Sequence, residues 1–163
     1  MSNLEGISER VISVMEGIDG LSDLEVSDLR KIPLGTLRQG TYRLQGVCRF
    51  RKGTRQRIAR GTENGVSEVR SIDLHPLLLT EEWSRYADHV LFHEYLHALL
   101  PGEGHGPEFR RRESLWPDSN AIAMKEEFGQ FIRERRSDIL NWVLSCPNCD
   151  YRFLSKRPLP GAR

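Results

Sequence analysis

Cysteine is scarce in this chain: there are three in 163 residues, and two of them form Cys146-Pro-Asn-Cys149. So few thiols exclude a disulfide framework, point to a reducing compartment and make metal chemistry the first reading of that pair. Long hydrophobic runs are missing as well. The opening, MSNLEGISERVISVMEGIDG, alternates acids with aliphatics, so it reads as neither a signal peptide nor a membrane span, and an intracellular, cytoplasmic protein is expected. Internal repeats and low-complexity tracts are absent, and only the last residues, SKRPLPGAR, resemble a loose tail. What is present, 38% hydrophobic and 29% charged residues, suits one compact domain with a small appendage.

Net charge is nearly absent too, at +1, but the charges are unevenly placed. The first thirty residues hold seven acids against Arg10 and Arg30, whereas Arg49, Arg51, Lys52, Arg55, Arg57 and Arg60 share a stretch with no acid. That basic stretch has two readings: a contact surface for nucleic acid, or a solvated hairpin whose charges keep a sheet edge soluble.

Periodicity outlines the elements. Leu4, Ile7, Val11, Ile12 and Met15 share one helical face. TYRLQGVCRF and RQRIARG alternate as strands do, so a hairpin turning at Lys52-Gly53-Thr54 is expected, with a further turn at Asn64-Gly65 and a third strand in VRSIDLHPLLL. A helix should start near Thr80, Glu81 and Glu82 and run to about Leu100, where Pro101-Gly102 stops it. Two more are expected, one from Pro107 and one from Ser119 to Arg136, before NWVLSCPNCDYRF returns to extended chain.

The helix ending at Leu100 is apolar almost all round, yet it carries His93, Glu94 and His97. Three ionisable groups in such surroundings need a partner, and a metal ion is one. Residues four apart lie about 40° from each other on a helix, so both imidazoles reach one ion. Zinc would satisfy them and leave a position open for water, with Glu94 placed to take its proton. A catalytic zinc wants a third protein ligand, and His105, bracketed by Gly104 and Gly106, is the best candidate. Glu113, Glu126 and Glu127 are rival third ligands.

His93-Glu94-Tyr95-Leu96-His97, followed by Gly104-His105-Gly106-Pro107-Glu108-Phe109, resembles the SprT family of zinc metallopeptidases, whose eukaryotic relative Spartan cleaves proteins crosslinked to DNA. The likeness extends from about Thr41, through GVCRFRKG, to Phe109. It implies an α+β, zincin-like domain over residues 1–140 with a small antiparallel sheet and an HExxH active-site helix. It also implies zinc held by His93, His97 and His105, Glu94 as general base, and a protein substrate bound or crosslinked to DNA.

Family members carry a C-terminal zinc ribbon, which Cys146 and Cys149 resemble within residues 141–163. A ribbon needs two such pairs, and no Cys or His follows Cys149, so a second, structural zinc would be incompletely held. Cys48 could add a thiolate, but a lone strand cysteine usually packs as a small hydrophobe. His89, one turn before His93, could support the site or sit in the core, and His75 reads as a strand-end residue. Arg110, Arg111 and Arg112 could steer DNA or an acidic substrate, but the favoured reading is cover for a solvated helix face. The other class of function open to this chain is a zinc-containing nucleic-acid-binding or regulatory protein without proteolytic activity.

Overall fold

The computed structural model describes residues 3–61, 65–135, 142–145 and 152–155. Helix α1 (Leu4–Glu16) forms as its periodicity requires: Asn3 caps it by accepting the Gly6 amide proton, and Ile7, Val11, Ile12 and Met15 are buried. Two short 3-10 turns, Asp19–Leu21 and Val26–Lys31, bring the chain to a three-residue strand, β1 (Leu34–Thr36).

Strands β2 (Gly46–Phe50) and β3 (Val69–Leu74) complete a sheet of order β1-β3-β2, with β3 parallel to β1 and antiparallel to β2. The sheet is therefore mixed, where the sequence suggested purely antiparallel pairing. The difference is β1, which is short and contains Gly35, so neither propensity nor alternation marks it. Its carbonyl and amide partners are supplied by β3.

The expected hairpin is also corrected. Lys52 and Gly53 do turn the chain, with Gly53 at φ 83, but they lead into a helix, α2 (Thr54–Ala59), instead of a returning strand. Its Arg, Gln and Ala residues favour helix, and after Thr54 a strand there would gain from a single β-branched residue, Ile58. Thr54 Oγ1 bonds the Arg51 carbonyl and Glu68, which anchors the first turn of the helix. The turn expected at Asn64-Gly65 lies partly outside the described residues.

Helix α3 (Ser84–Leu99) runs through the centre, against α1, the sheet, α4 (Pro107–Glu113) and α5 (Ser119–Glu134). A 3-10 turn, Glu81–Trp83, occupies the expected start, because Thr80 Oγ1 bonds back to the Leu77 carbonyl rather than capping forward. Leu91, Phe92, Tyr95 and Leu96 are fully buried, each worth about 1.5–3 kcal/mol relative to exposure. Tyr95 also meets the Ser8 hydroxyl of α1 at 2.8 Å, giving its phenol the partner that burial demands.

Asp118 caps α5 by accepting from the Asn120 and Ala121 amides, and Phe128 on that helix reaches the common core. One core joins residues from Ile7 to Ile132. Strands β4 (Trp142–Ser145) and β5 (Arg152–Ser155) pair antiparallel. Cys146 and Cys149 lie outside the described residues, and so does the expected zinc knuckle. The fold is mixed α and β, with a small sheet and several helices. Among the described residues no helix is long and apolar enough to cross a membrane.

Candidate metal centre

Helical spacing puts His93 and His97 on one face of α3, and the segment Pro101 to Gly106 folds back to bring a third imidazole beside them. Gly104, at φ 57, makes the turn that other residues adopt only with strain. The three Nε2 atoms then lie 3.2 Å (His93 to His97), 3.1 Å (His97 to His105) and 3.2 Å (His93 to His105) apart. Phe109, fully buried, forms the floor beneath them, stacked on His97 at 4.5 Å and edge-on to His93 and His105 at 5.0 and 5.1 Å.

The His93 ring is oriented from its other side. Its Nδ1 lies 2.5 Å from Glu113 Oε1, and this bond holds the Glu113 carboxylate below its usual range. An ionised carboxylate only accepts, so His93 Nδ1 carries a proton and Nε2 is the nitrogen turned toward the other two rings. Burial, with His93 and His105 alongside, pushes the His97 imidazole down to about 4. Three ring nitrogens therefore point at one spot and cannot all satisfy one another. A cation resolves that arrangement, and the spacing suits zinc: a tetrahedron with Zn–N of about 2.0–2.1 Å has an N···N edge of about 3.3–3.4 Å. Among the described residues, no further Cys, Asp or Glu ligand atom joins the three histidines.

Glu94 is buried between this cluster and β2. An ideal Cβ on Gly46 would come within 2.9 Å of Glu94 Oε1, so a glycine at that point of β2 is what lets the carboxylate lie there. Burial pushes the Glu94 carboxyl up to about 7, opposed by the nearby His93 and by a hydrogen bond from the Cys48 backbone. Such a group exchanges protons near neutral pH.

The other residues singled out in the sequence are distributed as follows. Glu113 lies on the far side of His93 from the shared spot, so it is a support for the ring rather than a third ligand beside His97, and Glu126 and Glu127 belong to no cluster among the described residues. Arg49 pairs with Asp73 at 2.7 Å, and Arg57 pairs with Glu68 at 2.5 Å. Arg51, Lys52, Arg55 and Arg60 are exposed and form no ion pair among the described residues. Burial and the Glu94 charge push the half-buried Cys48 thiol up to about 12, which suits an inert packing residue. His89 is a buried core residue between Tyr86 and Trp116. His75 caps the turn after β3 by accepting the Leu77 amide, with its Nε2 2.8 Å from the Thr41 carbonyl.

Arg112 corrects the reading of the arginine triplet as solvated cover: it is buried and bidentate to Asp23, with further bonds to Glu108 and the Gly20 carbonyl. Three contributors escaped sequence reasoning in their actual roles: Glu113, Phe109 and Gly46. The available signal for Glu113 was chemical, since a ligating imidazole usually gives its second nitrogen to a carboxylate.

No curated protein and no solved structure matches the chain. The model of the SprT-like family matches residues 33–118, more than half of the 163 and a stretch that runs from β1 through the histidine cluster to the cap of α5. The three histidines, their glycine-shaped loop and the buried glutamate all fall inside it, and the chain belongs to the SprT-like family.

Proposed function

We propose that this protein is a zinc-dependent metallopeptidase of zincin-like build that hydrolyses peptide bonds in protein substrates. The observation that carries the reading is the convergence of three imidazole Nε2 atoms within 3.2 Å, two from a mostly buried helix and one from the loop that follows it, with Glu94 next to His93 in the chain. His93, His97 and His105 hold the metal in this reading. When bound, zinc supplies Lewis acidity, polarising a carbonyl and making water a competent nucleophile near neutral pH.

The chain's own groups do the rest. Glu94 accepts the proton of the attacking water and returns it to the departing amine, a role that its raised proton affinity supports. Glu113 fixes the His93 tautomer, and Phe109 keeps the back of the cluster dry. An extended substrate can lie along β2, the edge strand beside Glu94. The His75 amide bonds the Gln45 carbonyl, so by antiparallel alternation the backbone groups of Gly46 and Cys48 point away from β3. Protein held on DNA is the substrate class suggested by the family likeness, and Lys52 and Arg60, both exposed, are the side chains assigned to phosphate contact.

Glu94→Gln in the zinc-loaded protein tests the reading. Retained zinc with a loss of roughly 10²–10⁴-fold in cleavage of a casein-like substrate is expected. Parental turnover in that variant would remove Glu94 from the chemistry. Zinc-loaded parent protein that cleaves neither free nor DNA-bound protein would favour a binding or regulatory role.

A further inference from the structure

Away from the histidine cluster, a cavity of about 650 Å³ opens where the end of β2 meets α2 and the turn after α3. Phe50, Ile58, Ala59 and Pro101 line it with apolar surface, and Arg51 and Arg55 belong to its wall, so their charged ends lie within a side chain's reach of it. Its size falls within the range of small-ligand and side-chain pockets, roughly 300–1,000 Å³.

Its position ties it to the proposed active site. Pro101 opens the segment that carries His105 back to His97, and Phe50 ends the strand whose first residue, Gly46, touches Glu94. From Gly46 to Phe50 the strand advances roughly 13 Å, about four residues of extended chain. Antiparallel pairing is the slightly stronger mode, and a polypeptide lying antiparallel on the outer edge of β2 would bring residues N-terminal to the cleaved bond to the Phe50 end.

The charge around the cavity is selective as well. Among the described residues no acid lines it. Arg49 and Arg57, on either side in sequence, are matched by Asp73 and Glu68, whereas Arg51 and Arg55 are exposed and form no ion pair among the described residues. Paired neighbours cannot absorb an incoming carboxylate, but these two can, and an apolar wall beside them asks for an apolar side chain.

We propose that this cavity is a substrate subsite that receives an apolar side chain next to an acidic one, about four residues before the bond to be cleaved. The proposal rests on the peptidase reading for its placement along β2, and it defines which protein segments the site prefers. A nucleobase seated on Phe50 with its phosphate on the arginines is the rival occupant.

Fluorescence anisotropy with the full-length, zinc-loaded Glu94→Gln protein tests binding apart from turnover. Two labelled twelve-residue peptides differ only at adjacent upstream positions, Leu-Asp in one and Ser-Lys in the other. The Leu-Asp peptide should bind about tenfold more tightly or better. Ala59→Trp, which fills the cavity, and the double change Arg51→Ser with Arg55→Ser should each abolish that preference while leaving the Ser-Lys peptide unaffected. The double change sits on exposed positions and decides the matter even if the tryptophan variant misfolds.

Equal affinities in the parent, a preference that survives the double change, or displacement of the peptide by an equimolar single-stranded oligonucleotide would overturn the subsite. Preferential binding without hydrolysis by the parent enzyme would uphold the subsite and overturn the peptidase reading. Cleavage of both peptides at equal rates would do the reverse.

Discussion

Helix α3 and the basic segment 49–60 both crowd ionisable side chains into a short length, and they dispose of them in opposite ways. On α3, His93, Glu94 and His97 are wholly or partly buried, and the two imidazoles converge on a single spot shared with His105 while Glu94 bonds the Cys48 backbone beside it. In the basic segment the side chains diverge: Arg49 goes to Asp73, Arg57 to Glu68, and the others face solvent or the cavity beside α2. Convergence is what makes a site, whereas a high local density of one charge does not. The contrast follows from geometry, since a helix fixes which of its residues share a face, while the six cations are divided among the end of β2, the turn after it and the short helix α2 with its cap.

The sharpest way to break this contrast is to remove a convergent ligand. His105→Ala should lose most of the bound zinc, read by elemental analysis after dialysis, with helix content unchanged; a variant as zinc-loaded as the parent would take His105 out of the centre. A smaller effect is expected from the residue behind the cluster. Glu113→Ala should weaken zinc binding by about 10–100-fold, measured by competition with a chelator, because His93 loses the group that fixes its tautomer. Glu113→Gln should recover part of that affinity, since its amide oxygen still accepts from Nδ1.

How far each region could be read in advance depended on where its partners lie in the chain. His93 and His97 are four residues apart, and His105 follows after a glycine-marked loop, so the grouping of the three histidines was legible from local spacing. Helices α1, α4 and α5 were legible for the same reason. Strand β1 was not, because three residues containing a glycine have no pattern of their own and become a strand only when β3 pairs with them. The basic segment was over-read as a hairpin of free cations, because the acids that neutralise Arg49 and Arg57 stand 24 and 11 residues further on. Arg112 was under-read for a similar reason, with Asp23 as its partner 89 residues away.

The acid limb of stability sharpens the comparison from the basic side. Arg57 and Thr54 hold the Glu68 carboxylate down to about 2, whereas in the unfolded chain it titrates near roughly 4.3. As pH falls below that value the unfolded state takes up the proton first, so the contribution is complete above about 4.3 and disappears as pH approaches 2. Asp23 and Glu108, both held down to about 2 by arginines, share the window. Glu68→Gln should therefore flatten, without abolishing, the fall of Tm between about pH 4.5 and 2. An unchanged acid limb would show that the Arg57 contact contributes nothing in solution.

The smallest effect concerns phosphate contact. Lys52→Ser with Arg60→Ser should reduce the slope of log affinity for DNA against log salt by about 2, since each phosphate that a cation neutralises adds about 0.9 to that slope. Arg49→Ser, whose guanidinium is already matched by Asp73, should leave the slope where it was. Anisotropy titrations across a salt series measure both, and equal effects from the two variants would erase the distinction between paired and unpaired cations.

The bidentate bond between Arg112 and Asp23 has a consequence for where the folding unit ends. Family likeness begins at residue 33 and ends at residue 118, and every side chain of the histidine cluster falls within those limits. The wall behind the cluster does not. Arg112 is buried by holding Asp23 and the Gly20 carbonyl, Tyr95 finds its hydroxyl partner on Ser8, and Phe128 of α5 closes the opposite side of the core. A fragment trimmed to the recognisable stretch would keep all the chemistry and strand a guanidinium, a phenol and the apolar flank of α3 in water. The stretch that the family model matches is shorter than the stretch that packs around the cluster, and residues beyond its margins hold the matched stretch in shape.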